Sequence, residues 1–472
     1  MTGYSKINDE ITKELIAALG QNNVSIDSEK LCTYSYDEVP KSAYLEPHIA
    51  EILLFPETTQ QVSSVMKIAT KHNIPVTCRG AGTGLSGGSI PAYGGIIMSF
   101  EKMNRILELD EANLSITVEP GVVTSEITQL AQKHGLLYAG DPCSGDASYI
   151  GGNIAENAGG NKVIKYGATG AQLLALEVVL PNGDITWFGG KRRKDVTGLD
   201  FVHLMAGSEG TLAIITKAVL KLLPLPKYSV DLLAAFDSPE SAIAFVPKII
   251  SEAGLIPASI EFMDQNSLSN VSRFLNTEVP AKNAAAALII QLEDNDEKRL
   301  DNDYETVGKI MQKHGAYEVY VADTRTTKER VWQARKSIGE AVAALYKNYM
   351  KEDLVVPTDK VPALLDSIKK ASEAHDLDYS IFGHAGDGNM HCTLIAKKQE
   401  NWQDDIHAAQ KEIYKDTHAL GGTLSGEHGI GFKRKGYIKY FLDEAQIELI
   451  KRVKLAFDPQ NILNPGKIVE WE

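Results

Sequence analysis

Cysteine is scarce in this 472-residue sequence, where Cys32, Cys78, Cys143 and Cys392 lie far apart and none belongs to a C-x-x-C pair. That spacing excludes a cysteine-rich iron–sulfur motif and offers no disulfide framework. A reducing cytoplasm is the simplest setting. No stretch approaches the roughly 18 uninterrupted apolar residues of a membrane span; the longest apolar pieces are segments such as GGIIMSF and AAAALIIQL. An excess of positive charge is also missing. The net charge of -14 and pI near 5.4 oppose association with nucleic acid or an anionic membrane surface. The opening MTGYSKINDEITKELIAALG mixes acids and amides with its apolar residues, so it reads as an amphipathic helix and not a signal peptide.

What is present is enough apolar residue, 43% against 23% charged, for sizeable cores. One core rarely grows beyond about 250–300 residues, so two or more domains are expected. From about Ala50 to Leu223, β-rich runs (IAEILLF, IPVTCR, GGIIMSF, LSITVEPG, LALEVVLP) alternate with helical patterns such as TTQQVSSVMKIATKHN, an α+β reading. Glycine becomes scarce after LLPLPKYSV. The expected division is therefore 1–226, 227–425 and a C-terminal segment 426–472 whose FDPQNILNPGKI docks. A long helix is expected from Thr327 to Lys347.

Glycine concentrates in RGAGTGLSGG at 79–88 and IGGNIAENAGG at 150–160, with GSEGT at 207–211 as a third, smaller cluster. Such loops bring backbone N–H groups close to an anion, so a phosphate-bearing cofactor is the natural guest. Residues 82–87 satisfy G-x-G-x-x-G, but the dinucleotide fold that uses this motif needs a helix to open there. Here GSIPAYGGIIMSF follows, which reads as a turn and a strand. No GK[ST] closes a nucleotide-triphosphate loop either. Ordinary tight turns remain an alternative for one loop alone.

The segment YSIFGHAGDGNMHCTLIA has two apolar runs flanking Asp387-Gly388, a strong hairpin signal. A two-residue turn there pairs His384 directly with His391, on one face with Phe382 and Thr393, and sends Cys392 to the other. Two imidazoles so placed can share a divalent cation at about 2.0–2.1 Å. Glu427, beside His428 in SGEHGIG, offers a third ligand. Spacing alone leaves open a plain cross-strand pair and a solvated turn glutamate.

In their order, RGAGTGLSGG, DPCSGDASYIGGNIAENAGG, KYGATG, GSEGTLAIIT and FDPQNILNPGKI resemble the FAD-linked oxidase family with its vanillyl-alcohol-oxidase type of FAD domain, over nearly the whole chain. Within it the chain is similar to the glycolate oxidase and D-lactate dehydrogenase branch, including subunits that pass electrons to an electron-transferring flavoprotein. The resemblance implies a two-part FAD-binding domain, an α+β substrate (cap) domain and a C-terminal return to the FAD site. It implies FAD contacts at Arg79, Gly80, Gly82, Thr83, Gly84, Leu85, Ser86, Asp141, Ser144, Gly151, Asn153, Asn157, Gly159, Glu209, Ile214 and Asn464. Cys78 stands where many members carry proline and no histidine occupies the first loop, so FAD is expected to be bound non-covalently.

The same resemblance, through GHxGDGNxH and GEHGxG, implies a divalent metal (Zn, Fe or Mn) on His384, His391 and Glu427, with His428 as base. A helical arginine is by itself usually a surface charge, but the W-x-x-R context implies Arg335 as the carboxylate clamp, with Lys351 and Thr393 as further substrate contacts. The implied reaction is FAD-dependent oxidation of a D-2-hydroxy acid, D-lactate ahead of glycolate or D-2-hydroxyglutarate. Hydride passes to flavin N5 with metal-assisted hydroxyl deprotonation, and electrons leave to a partner such as an electron-transferring flavoprotein. An O2-using oxidase, a non-catalytic electron-relay subunit and an NAD dehydrogenase are the rivals.

Overall fold

The computed structural model describes residues 3–40 and 46–471. The chain divides into two units, Met1–Gly159 with Ala168–Leu225 and Glu427–Glu472, and Gly160–Gly167 with Pro226–Gly426. The fold class is α+β, as expected.

The first unit carries two main sheets. In one, Val24–Ser25 lies at the edge of the parallel strands Ile52–Leu54, Ile96–Ser99 and Val76–Arg79, in that order. The other is antiparallel, in the order Ile106–Asp110, Ser115–Val118, Ile214–Lys221, Leu173–Val179 and Ile185–Gly189. The helix Thr59–His72 joins them. Thr58 caps its start by accepting from the Gln61 N–H, and Asn73 closes it in the left-handed region. Val62, Val65, Met66 and Ala69 recur at helical spacing and share one core with Ile52 and Met98 of the first sheet and Val179 and Ile214 of the second. Each such fully buried side chain contributes about 1.5–3 kcal/mol. Polar bonds fix the rotation: Thr59 Oγ1 donates to Glu177 (2.6 Å) and Ser63 Oγ to the Gly183 carbonyl (2.6 Å).

The first glycine-rich loop runs from Val76–Arg79 into the strand Ile96–Ser99, with no helix opening after it. The second differs from expectation, because Ile150–Glu156 forms a short helix. Ile150 and Ile154, one turn apart, are both fully buried, and this anchoring outweighs the low helix propensity of Gly151 and Gly152. The tail docks through one parallel bridge beside Val76, whose N–H donates to Ile462 O and whose carbonyl accepts from the Asn464 N–H, both at 2.7 Å.

The second unit is built on one antiparallel sheet in the order Ala316–Ala322, Tyr228–Phe236, Ala286–Asp294, Ser259–Asp264, Leu377–His384, Asn389–Ala396 and Tyr349–Val355. Residues 160–167 belong here and not with the flanking glycine-rich segment, because Lys165 (3.0 Å) and Tyr166 both bond Glu293. The helix expected over Thr327–Lys347 is two helices, Arg325–Lys336 and Ile338–Leu345. They meet at Ser337, beside Gly339, where helix propensity is lowest. Among the described residues no helix is long and apolar enough to cross a membrane.

Candidate active site

The first unit holds a large cavity whose wall includes the expected residues Arg79, Gly80, Gly82, Thr83, Gly84 and Leu85 of the first loop. Ser144, Gly151, Asn153, Glu209, Ile214 and Asn464 join them, with Glu427 and His428 on the same wall. Four expected contacts are not on that wall. Ser86 is buried behind it, its carbonyl accepting from the Lys433 N–H (2.9 Å). Asn157 turns its Oδ1 to the Gly170 N–H (2.7 Å), and Asp141 is exposed just outside the wall residue Pro142. Gly159 serves a neighbour: a Cβ there would lie 2.5 Å from Glu427 Oε2, so the missing side chain makes room for that carboxylate.

Glycines recur along the wall, and carboxylates brace the segments that carry it. Asp37 accepts from the Gly87 N–H (2.8 Å) and the Val39 N–H (3.1 Å), bracing the first loop. Glu209 accepts from the N–H groups of Ile430 and Gly431, both at 2.7 Å, which fastens the returning C-terminal segment. Asn464 Nδ2 ties that segment to the carbonyls of Gly88 (3.0 Å) and Glu209 (2.7 Å). Burial, opposed by these hydrogen bonds, pushes the Asp37 carboxyl up to about 6 and also raises Glu209. Glu156, on the wall but not anticipated from the sequence, is raised well above the usual carboxylate range by burial and by Glu209. The only advance signal was an acid inside a glycine- and asparagine-rich stretch. Glu156 Oε2 and Asn464 Oδ1 are buried on this wall without hydrogen-bond partners among the described residues. A glycine-lined cavity with such orphaned polar atoms fits a dinucleotide, which brings donors and acceptors along its length. Burial drives the wall thiol of Cys78 up to about 12, so it stays neutral.

In the second unit the strands present a polar face. The hairpin register differs from expectation: His384 pairs with Asn389 and Phe382 with His391, two residues away from a direct His–His pair. The turn residues are used by neighbouring segments, with the Gly386 N–H donating to Ile260 O (3.3 Å) and Gly388 O accepting from the Val356 N–H (3.3 Å). A shift of two keeps every side chain on its face. His384 and His391 thus remain neighbours, with ring centroids 5.2 Å apart and planes at 88°. Thr393 lies on this face opposite Lys351, and Asp353 lies opposite His391. Cys392 faces the other way. Its thiol is raised by burial and by Glu352 and Asp264, which makes it a poor metal ligand.

Two buried carboxylates missed in the sequence hold these histidines. Glu261, directly opposite His384, takes its Nδ1 at 2.8 Å. Asp353 Oδ1 lies 3.5 Å from His391 Nδ1, while Oδ2 accepts from Ser425 Oγ (2.6 Å) and the Gly426 N–H (2.9 Å), the residue before Glu427. An acid within the apolar run SIEFMD was the available signal, since acids are seldom fully buried unless paired. Arg335 is only 3% exposed, with its guanidinium over the Phe382 ring (4.8 Å). Its Nη2 lies 2.7 Å from Glu261 Oε2, close enough for an ion pair but not aligned as a hydrogen bond. Nε and Nη2 therefore have no hydrogen-bond partner among the described residues.

Comparison with known proteins accords with this geometry. Residues 225–468 match the family described as FAD linked oxidases, C-terminal domain, and residues 50–189 match an FAD binding domain family. The glycolate oxidase subunit GlcD of Bacillus subtilis is 38% identical over 464 residues, covering 98% of this chain and 97% of that protein. A D-lactate dehydrogenase of Anaerostipes hadrus is 35% identical over 472 residues, covering 98% of each chain. Among solved structures, p-cresol methylhydroxylase superposes with a TM-score of 0.81 at 18% identity, covering 99% of both chains, and shares the fold.

Proposed function

Because the chain belongs to the FAD linked oxidases and is an FAD-dependent oxidoreductase of the glycolate oxidase and D-lactate dehydrogenase type, we propose that it oxidises a small D-2-hydroxy acid, D-lactate first among them, to the 2-oxo acid. The observation that carries this is Arg335, a buried guanidinium with unmade hydrogen bonds that shares Glu261 with His384 and Phe382 with His391. Glu261 pairs with this guanidinium from one side, and the N–H groups still without hydrogen bonds suit a second carboxylate, that of the substrate. Glycolate and D-lactate, the acids in the relatives' names, share that group.

FAD, bound non-covalently in the first unit's cavity through the residues that line it, supplies the hydride acceptor. A divalent metal on His384, His391 and Glu427 supplies Lewis acidity toward the substrate hydroxyl. Support for that ligand set is the right-angled, buried histidine pair and the anchoring of Gly426, which fixes where Glu427 begins. His428 takes the hydroxyl proton, the role of a general base that an imidazole can fill. Arg335 orients the carboxylate, with Lys351 and Thr393 on the adjoining row of the sheet. Electrons leave the reduced protein for a partner such as an electron-transferring flavoprotein; formation of peroxide in air at the turnover rate would instead make it an oxidase.

The test is anaerobic flavin absorbance with D-lactate, L-lactate, glycolate and D-2-hydroxyglutarate, before and after chelation. Bleaching by D-lactate, lost on chelation and restored by a divalent metal, is expected. A yellow protein bleached by none of these acids would overturn the reading.

A further inference from the structure

Five side chains of the second unit form a closed ring of contacts. Arg335 stacks on Phe382 at 4.8 Å, Phe382 lies 5.1 Å from the His391 ring, and His391 lies 5.2 Å from His384. Glu261 closes the ring, with Oε1 on His384 Nδ1 at 2.8 Å and Oε2 at 2.7 Å from Arg335 Nη2. Its side chain is fully buried. A carboxylate only accepts, so the hydrogen between it and His384 sits on Nδ1, which leaves the Nε2 lone pair for a ligand. Scaffolding alone does not explain a buried pair in this place, since apolar side chains of like volume in place of both charges hold a sheet as well or better.

We propose that Glu261 is a positioning residue that couples the metal to the substrate: one carboxylate fixes both the ligating face of His384 and the guanidinium of Arg335. Metal affinity and affinity for the acid's carboxylate therefore rise and fall together. This rests on the reading above, that His384 binds metal and Arg335 binds the carboxylate.

Glu261→Gln keeps the shape and removes the charge. In the FAD-loaded protein, Zn2+ or Mn2+ affinity is measured by chelator competition, and half-saturating D-lactate by anaerobic bleaching at saturating metal. Metal affinity is expected to fall about 10–100-fold, the range for partners behind a metal ligand. Half-saturating D-lactate should rise in parallel, by more than the limiting rate changes, with flavin content per folded protein unaltered. Should Glu261→Gln not fold, Glu261→Asp retains the charge but cannot span both partners, and at least one of the two affinities must drop. Wild-type affinities in the variant, or a change in one alone for Glu261→Gln, would overturn the coupling while leaving the function intact. A wild-type protein that binds no divalent metal yet is bleached normally would remove the reading and the coupling together.

Discussion

In the first unit the cavity wall is rich in glycine and gathered from Gly80, Gly151, Gly210 and Asn464, positions far apart in the chain. In the second unit the candidate chemistry lies on strands in register, where side chains project from one face and buried carboxylates hold them. The first arrangement suits a long ligand with many acceptors, because N–H groups need no particular side chain. The second suits a small one, because a few groups must be held in place. The two should therefore fail differently: the glycine-rich region to added bulk, the strand face to lost functional atoms.

The strand face should give the largest effect. His391→Ala removes a proposed ligand from a rigid sheet and leaves the first unit untouched, so flavin content should stay at the wild-type level. Bleaching by D-lactate should slow by at least about 100-fold, the upper end of what changes behind a metal ligand cost. Stopped-flow absorbance measures it, and a near wild-type rate would remove His391 from the metal site. The reverse pattern is expected of Gly431→Ala. Gly431 has φ +56°, and a Cβ there would lie 2.2 Å from the Ser86 carbonyl, where the returning segment meets the first loop. Strain and overpacking of this kind together cost about 3 kcal/mol. The protein should emerge with less flavin and a lower melting temperature, read by the flavin-to-protein absorbance ratio and a thermal melt.

A smaller effect should come from Asp37, whose carboxyl is pushed up to about 6 mainly by burial, against hydrogen bonds from Val39 and Gly87. Its folded pKa lies above the unfolded value near 3.9, so its contribution to stability is complete at low pH and is lost as pH rises through about 6. Allowing for its partial exposure, that loss amounts to about 1–2 kcal/mol. Melting curves from pH 4 to 7 should show the decline in the wild type and not in Asp37→Asn. Parallel curves would mean the first loop is not braced by a strained carboxylate.

Sequence reading did well where pattern is local. The strand after the first glycine loop, the amphipathic helices and the face shared by His384, His391 and Thr393 all follow from periods of 3.6 or 2. It went astray where partners are distant. The hairpin slid by two residues because Ile260 and Val356, on other segments, claim the turn's N–H and carbonyl. The second glycine loop became a helix because Ile150 and Ile154 find a core. Glu261, Asp353 and Glu156 escaped notice because an acid in a strand or loop looks solvated until its buried neighbours are known.

Cys392 tests the limit of that local logic. It adjoins His391 in sequence, in a cluster rich in possible ligands, yet pairs with Ile381 and Glu352 on the opposite face and is fully buried. If side-chain alternation decides the chemistry, Cys392→Ala costs only the packing of one sulfur, about 1 kcal/mol. Metal stoichiometry, bleaching rate and half-saturating D-lactate should then all match the wild type. A metal content that falls with this variant would mean that the two faces of the strand are not chemically separate, and that the orderly division between a catalytic face and a packing face in the second unit is wrong.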